Sequence, residues 1–314
     1  MSSNYTKRIG LCTDTHYRPH DPKFSVHEFG HNGSAQLLHI SDQLQNVLIS
    51  ELQNASLDLV LHLGDQTCGG GTFDLPMDEF YKSVDYCYAK FSQLGTPIYT
   101  LQGNHDCPPG GGNWSYFEKQ WGLQPNLGTT IDLPEARLIL LNTHGHSAQQ
   151  IEAAKPYDTV YGLVHDLELE RLERELATAG NRPVLLFCHQ LLRSWAGPHQ
   201  CRKFYHVRNA EEILDILSKQ SNVRAVFQAH AHRLDVHTAQ IGQQETTFIV
   251  LPSIIEYPIA WTQLELTAAQ LQITMRQLPL PHLAEQSRAI VGKEGTTQDW
   301  RIGQPEWHNM VIDL

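Results

Sequence analysis

The chain has 314 residues, more than one simple core needs and fewer than two full domains would use. Hydrophobic residues make up 41% and charged residues 18%, the latter below the ~25% of ordinary soluble domains, a balance that excludes a disordered, collagen-like or low-complexity chain. The net charge of −11 repels a phosphate backbone and no basic patch offsets it, so nucleic-acid binding is not expected.

The first residues, MSSNYTKRIG, have no apolar run behind their basic pair, and no stretch of ~18 apolar residues occurs. A soluble, cytoplasmic protein without membrane attachment is expected. Six cysteines without a C-x-x-C pair predict free thiols in a reducing compartment. The unusual count is histidine, 18 against 23 Lys and Arg, which raises the question of a metal.

Arg8–Asp14 reads as a short strand ending in polar residues, and Leu57–Leu63 as a second that ends at Gly64-Asp65. Between them Leu37, Ile40, Leu44, Val47, Leu48 and Leu52 recur at helical spacing, which predicts a helix over Ser34–Asn54. The alternation continues with a helix at Met77–Leu94 and strands at Pro97–Leu101, Thr129–Leu133 and Arg137–Asn142. A helix at Leu163–Ala179, a strand at Pro183–Cys188, a helix at Asn209–Lys219 and a strand at Val223–Gln228 follow. The pattern then changes to the hairpin-like strands Leu234–Ala239, Thr246–Leu251, Ile259–Leu266 and Gln270–Gln277.

Such a chain predicts an α/β fold in which the late hairpins form a second sheet packed on the first, a four-layer α/β/β/α sandwich with two mixed β-sheets. Residues 1–277 form the predicted main domain. Residues 278–314 lose periodicity but keep Trp300, Ile302, Trp307, Val311 and Ile312, which predicts an arm packed on the body or on a second copy in a homo-oligomer.

In open α/β sheets the ligand site lies beyond the carboxyl ends of the strands. Here those ends carry Asp14-Thr15-His16, Gly64-Asp65, Gly103-Asn104-His105-Asp106, His189 and His230-Ala231-His232, the residue types that bind borderline divalent metals. In extended chain, residues two apart face one side, so Asp14 with His16, and His230 with His232, can each present two ligands together. Gly64 and Gly103 are expected to let the backbone turn sharply beneath a ligand.

This ordered set resembles the calcineurin-like metallophosphoesterase superfamily over Asp14 to His232. A looser similarity to the branch near the ADP-ribose/CDP-alcohol diphosphatases runs through His189-Gln190, Tyr205–Ala210 and Val226–His230. The resemblance implies a dinuclear centre of two divalent metal ions, Mn²⁺, Fe²⁺/Fe³⁺ or Zn²⁺. It implies that Asp14, His16, Asp65 and His232 hold one metal and Asp65, Asn104, His189 and His230 the other, Asp65 bridging. It further implies hydrolysis of a phosphodiester, pyrophosphate or phosphomonoester by a metal-bridging hydroxide, with a cationic His105 as acid toward the leaving group and Asp106 orienting it.

Two departures stand out. The family's last motif reads Gly-His-x-His, and Ala229 in the glycine position requires a negative φ. After Gly64-Asp65 comes Gln66-Thr67-Cys68; purple acid phosphatases place a tyrosine ligand where Cys68 stands and glycine where His16 stands, so that branch is disfavoured. Cys12, Cys68, Cys107 and Cys188 all fall close to the expected ligands, and packing is the favoured role for Cys12 and Cys188.

Substrate contacts are expected from loops between the motifs: His20–Asn32, Cys107–Tyr116 and Gln190–Arg208. In the last, Arg193, Trp195, His199, Tyr205 and His206 are the candidate substrate residues, able to pair with phosphate or stack on a ring. His144 and His146 are read as flexible-loop histidines, with substrate contact the sharper alternative. The expected partner is a small phosphorylated molecule. Two other readings stand beside this one: a metal-binding scaffold of the same fold without catalysis, and a nuclease, which the charge disfavours.

Overall fold

The computed structural model describes residues 6–19, 35–70, 75–108, 112–144, 160–292 and 295–314. The chain runs β1 (Lys7–Cys12), α1 (Ser41–Asn54), β2 (Leu59–His62), α2 (Met77–Phe91) and β3 (Ile98–Thr100). Helix α3 (Ser115–Trp121) precedes the hairpin of β4 (Thr129–Asp132) and β5 (Arg137–Leu141). Then come α4 (Asp166–Ala179), β6 (Val184–Cys188), α5 (Ala210–Ser218) and β7 (Val223–Gln228). The hairpins β8 (Asp235–Ile241) with β9 (Gln244–Val250), and β10 (Ala260–Leu266) with β11 (Gln270–Gln277), lead to α6 (Pro281–Arg288) and β12 (Asn309–Asp313).

Two six-stranded sheets result, ordered β12-β11-β10-β1-β2-β3 and β4-β5-β6-β7-β9-β8. In the first, β1, β2 and β3 are parallel and β10 to β12 add antiparallel strands. In the second, β5, β6, β7 and β9 are parallel, with antiparallel β4 and β8 at the edges.

The period of two along each strand assigns side chains to layers. Ile9 and Leu11 of β1, Leu59 and Leu61 of β2, Leu138 and Leu140 of β5, and Leu185 and Phe187 of β6 face one another between the sheets. The intervening residues turn outward: Cys12 and Val60 pack with Leu44, Leu48 and Leu52 of α1, and Ile139, Leu141 and Leu186 with Leu172 and Leu176 of α4. Burying each such side chain contributes roughly 1.5–3 kcal/mol, and the outcome is the four-layer α/β/β/α sandwich with two mixed sheets. Among the described residues no helix is long and apolar enough to cross a membrane.

The late hairpins do not make a separate sheet. β8–β9 extends the second sheet, the chain then crosses over, and β10–β11 extends the first beside β1. Hairpin periodicity reports local pairing and carries no information about which sheet the hairpin joins. The first long helix starts at Ser41, after a single 3₁₀ turn at Leu38–Ile40. The segment from Leu278 packs on the body through Leu278, Leu280 and Leu283, and β12 then pairs with β11.

Candidate metal centre

The parallel strands of both sheets end on one edge, where backbone hydrogen bonds knit the exits together. Asp14 N–H donates to Gly64 O at 3.1 Å and His16 N–H to Asp65 O at 3.0 Å, so the chain beyond β1 runs beside the chain beyond β2. Ala229 N–H donates to His189 O at 2.9 Å, joining the exits of β6 and β7. Across the sheets, His189 Nδ1–H donates to Leu63 O at 2.6 Å and His230 N–H to an Asp14 carboxylate oxygen at 3.3 Å.

Asp14, His16, Asp65, His230 and His232 all take left-handed backbone, with φ of 51°, 42°, 53°, 65° and 51°. Each costs about 1–2 kcal/mol relative to ordinary backbone, and five together mark a place where side-chain direction outweighs local comfort. Ala229 is not among the positive-φ residues, so its methyl group is accommodated and the strain falls on the histidines that follow. Of the two glycines, Gly64 does turn through a φ of 92°. Gly103 instead gives room: a Cβ there would run into the Asp65 backbone and carboxylate.

All seven expected metal-site side chains converge, and all are buried. His232 Nε2 lies 3.1 Å from Asp14 Oδ1, and His16 Nε2 lies 3.2 Å from His232 Nε2 and 3.7 Å from Asp14 Oδ1. His189 Nε2 lies 3.3 Å from both Asp65 Oδ2 and Asn104 Oδ1. Asp65 Oδ2 is also 3.7 Å from His16 Nε2, so this one carboxylate reaches both halves of the cluster. Asp14, His16 and His232 form one group with donor atoms within 4.8 Å and Asp65, His189 and His230 another, and a third, His16, Asp65 and His105, overlaps both.

Burial penalises every charge here, yet His232 and His16 beside Asp14, and His189 and His105 beside Asp65, hold both carboxyls well below the usual carboxylate range. Against burial, the carboxylates push His189 up to about 9 and His232 up to about 10. His230 is pushed down to about 3 by burial and by the neighbouring His189. His230 Nε2 and Asp65 Oδ2 are buried with no hydrogen-bond partner among the described residues. Such groups are costly unless something binds them. Two buried carboxylates, imidazole lone pairs and orphaned donor atoms, without thiolate, fit a pair of borderline divalent cations.

His105 sits against this cluster, its ring centroid 5.2 Å from that of His16. Its Nδ1–H donates to Gly70 O at 2.7 Å, and its backbone N–H to Asp65 Oδ1 at 2.8 Å. Two expectations change. The Asp106 carboxylate accepts from the backbone of Thr67 at 3.0 Å and Gly103 at 2.9 Å and so braces the loops, while Gly70 orients the His105 ring. Burial, opposed by Asp65, also pushes the His105 imidazole down to about 4, against the cationic state expected of it. His232 has an outer partner of its own, with Nδ1–H donating to Glu256 Oε1 at 2.6 Å.

A cavity of about 430 Å³ opens over the cluster, walled by Tyr161, Phe204, Tyr205, Glu256 and Arg301. Of the expected substrate residues only Tyr205 lines it. Arg193 lies over the Phe248 ring, Trp195 donates to His199 O and packs under Arg233, His199 packs on Trp300, and His206 contacts Ser194. Their contacts lie within the loop or with Phe248, Arg233 and Trp300, and none of the four lines the cavity. His144 is buried and stacked on Trp114 at 4.9 Å, not on a flexible loop. His20–Asn32, residues 109–111 and His146 lie outside the described residues.

Sequence reasoning missed Glu256, Arg301, Tyr161 and Phe204. Glu256 had a signal, a lone acid within the apolar run Ile254–Pro258; Arg301 had none.

Five of the six cysteines are buried and Cys201 is half-buried. Cys68 Sγ–H donates to His16 O and Cys107 Sγ–H to Asn104 O, and burial raises both thiols, Cys107 to about 12. They serve as packing. Titration of native protein with a disulfide reagent is expected to show one fast thiol, Cys201, and all six only after denaturation; fast reaction at Cys68 or Cys107 would contradict that packing.

A four-layer sandwich with buried Asp, Asn and His on its strand ends defines a phosphoesterase of the metal-binding kind. Residues 7–234 match the calcineurin-like phosphoesterase family, and the chain belongs to it. It is 24% identical over 225 residues to a 3',5'-cyclic adenosine monophosphate phosphodiesterase, CpdA, of Haemophilus influenzae, a match covering 67% of this chain and 68% of that protein. A dimetal phosphatase from Danio rerio shares the fold with a TM-score of 0.64 at 16% identity, over 86% of this chain and 96% of the other. The purple acid phosphatase of yellow lupin seeds is similar at TM-score 0.56 and 14% identity, over 88% of this chain and 52% of the other. These two likenesses carry the fold alone.

Proposed function

We propose that this chain is a dinuclear-metal phosphoesterase that hydrolyses a phosphodiester of a small molecule, with pyrophosphates and monoesters as poorer substrates. The observation that carries this reading is the pair of donor groups, Asp14, His16 and His232 beside Asp65, His189 and His230, joined by the reach of the Asp65 carboxylate. The likeness to a cyclic-nucleotide phosphodiesterase supports the diester preference. Asp14, His16, Asp65 and His232 would hold one ion, and Asp65, Asn104, His189 and His230 the other. When bound, the ions supply Lewis acidity toward phosphoryl oxygens and lower the pKa of a water.

The chain's own residues handle orientation and protons. Leu63 O accepts from His189 Nδ1–H and Glu256 from His232 Nδ1–H, which turns each Nε2 toward the carboxylates, where a bound cation would take the place of the Nε2 proton. Gly70 O does the same for His105 and leaves its Nε2 to the substrate side. An incoming phosphoester brings negative charge against that neutral ring and raises its proton affinity. His105 thus takes up a proton with the substrate and passes it to the departing oxygen.

The net charge of −11 favours a small phosphorylated substrate over nucleic acid, and six free thiols fit a cytoplasmic setting. The test is reconstitution with Mn²⁺, Fe²⁺ or Zn²⁺ and assay against bis-nitrophenyl phosphate, nitrophenyl phosphate, a cyclic nucleotide, ADP-ribose and CDP-choline. Metal-dependent turnover, with the nitrophenyl diester ahead of the monoester, is expected. No turnover with any metal would overturn the proposal.

A further inference from the structure

Among the described residues lining the cleft, Arg301 alone is a lysine or arginine. It comes from a 3₁₀ turn, Asp299–Ile302, in the C-terminal segment far from the metal motifs in sequence. That turn is firmly docked. Gln298 N–H donates to Arg288 O and Gln298 Nε2 to Ile290 O, both at 2.9 Å, and Arg301 O accepts Leu234 N–H at 2.8 Å. The Trp300 ring lies under both the Arg233 and the Arg301 guanidinium, at 4.9 and 4.5 Å.

The guanidinium is then divided between two tasks. Nε donates to Gln298 Oε1 at 2.9 Å, and Nη1 donates to His232 O at 2.8 Å and pairs with Glu256 Oε1 at 3.1 Å. These contacts brace the left-handed His232 and the carboxylate that orients its ring. Nη2 has no hydrogen-bond partner among the described residues, and Arg301 lines the cleft, so this end of the fork is the part left for a ligand. Its place decides what it can meet. The guanidinium pairs with Glu256, Glu256 accepts from His232 Nδ1–H, and His232 Nε2 faces Asp14, so Arg301 is linked to the Asp14 carboxylate only through two intervening side chains. Among the described residues the guanidinium makes no hydrogen bond or ion pair with Asp14 or Asp65, the carboxylates of the proposed metal site.

We propose that Arg301 binds a second anionic group of the substrate, a phosphate or carboxylate, beyond the phosphoester being cleaved. This rests on the phosphoesterase reading above and narrows its substrate class to molecules with at least two anionic groups. A preorganised guanidinium suits the task, since its fork pairs with such groups in charge-assisted bonds and its side chain is already immobilised.

The test is calorimetric titration of metal-loaded protein, at buffered free metal, with methylphosphonate and with alkylene diphosphonates carrying one to four methylenes between the phosphonates. Arg301→Met is expected to weaken at least one diphosphonate by about 10- to 100-fold while methylphosphonate shifts by less than about twofold. Arg301→Lys, which keeps the charge without the fork, is expected to fall between, and guards against a folding defect in the first variant. Arg193→Met, outside the cleft, should change neither ligand. Equal weakening of mono- and diphosphonates in both Arg301 variants would make Arg301 only a brace for His232 and overturn the proposal. So would unchanged affinity for every diphosphonate. An Arg301-dependent diphosphonate preference in a protein that turns over no phosphoester would support this binding role and count against the phosphoesterase reading alone.

Discussion

Asp65→Ala is expected to strip both metal ions from the protein and abolish turnover. The Asp65 carboxylate is the one group that reaches both halves of the cluster, with Oδ2 at 3.3 Å from His189 Nε2 and 3.7 Å from His16 Nε2. Removing it would take away the negative charge that both ions would share and leave the imidazoles of His189 and His16 without their carboxylate partner. Loss of an outer partner of a metal ligand costs about 10–100-fold in affinity, so loss of a shared ligand should cost more than about 100-fold. The same substitution leaves His189 and the His105 N–H without their buried carboxylate partner and puts alanine at a left-handed position, so metal-free Asp65→Ala should melt below metal-free wild type while still folding. Metal content by mass spectrometry and a thermal melt check both halves. Retention of one full equivalent of metal would show that the carboxylate does not bridge.

His105→Ala should behave in the opposite way, retaining both metals and losing rate. Its ring hydrogen-bonds Gly70 O and its backbone N–H braces Asp65 Oδ1, a contact that alanine preserves. Proton transfer by a positioned side chain contributes typically 10²–10⁴-fold, and a loss in about that range is expected in kcat for an alkyl alcohol leaving group. With nitrophenolate, which departs as a stable anion and needs no proton, the loss should shrink by at least about tenfold. Rates for the two leaving groups, measured at equal metal content, decide the matter. Equal losses for both would make His105 a binding group and remove it from proton transfer.

Much of the architecture was legible because strands advertise their burial, as a nearly continuous apolar run in Val223–Gln228 and as alternation in Gln270–Gln277. Val223–Gln228 and Gln270–Gln277 were expected with the bounds observed, and every expected metal-site residue stands at the exit of a strand whose apolar run precedes it. Three kinds of information were not local. Sheet membership of β8 to β11 depends on a crossover that periodicity does not encode. Glu256 and Arg301 enter the site through contacts with His232 over long sequence separations, and nothing in the chain around Arg301 announces them. The basic and aromatic loop Gln190–Arg208 had the composition of a ligand site, but Arg193, Trp195, His199 and His206 satisfy one another and their neighbours. Asp106 shows the same limit at short range, since one residue of offset directs its carboxylate to Thr67 and Gly103.

The central claim is that two cations held by one shared carboxylate make the chain a catalyst. Activity toward bis-nitrophenyl phosphate, followed while metal-free protein is titrated with Mn²⁺ or Zn²⁺ and bound metal is counted, tests it most directly. The account predicts little turnover at one ion per chain and full turnover at two. Full activity with no metal, or a plateau at one ion per chain, would contradict it.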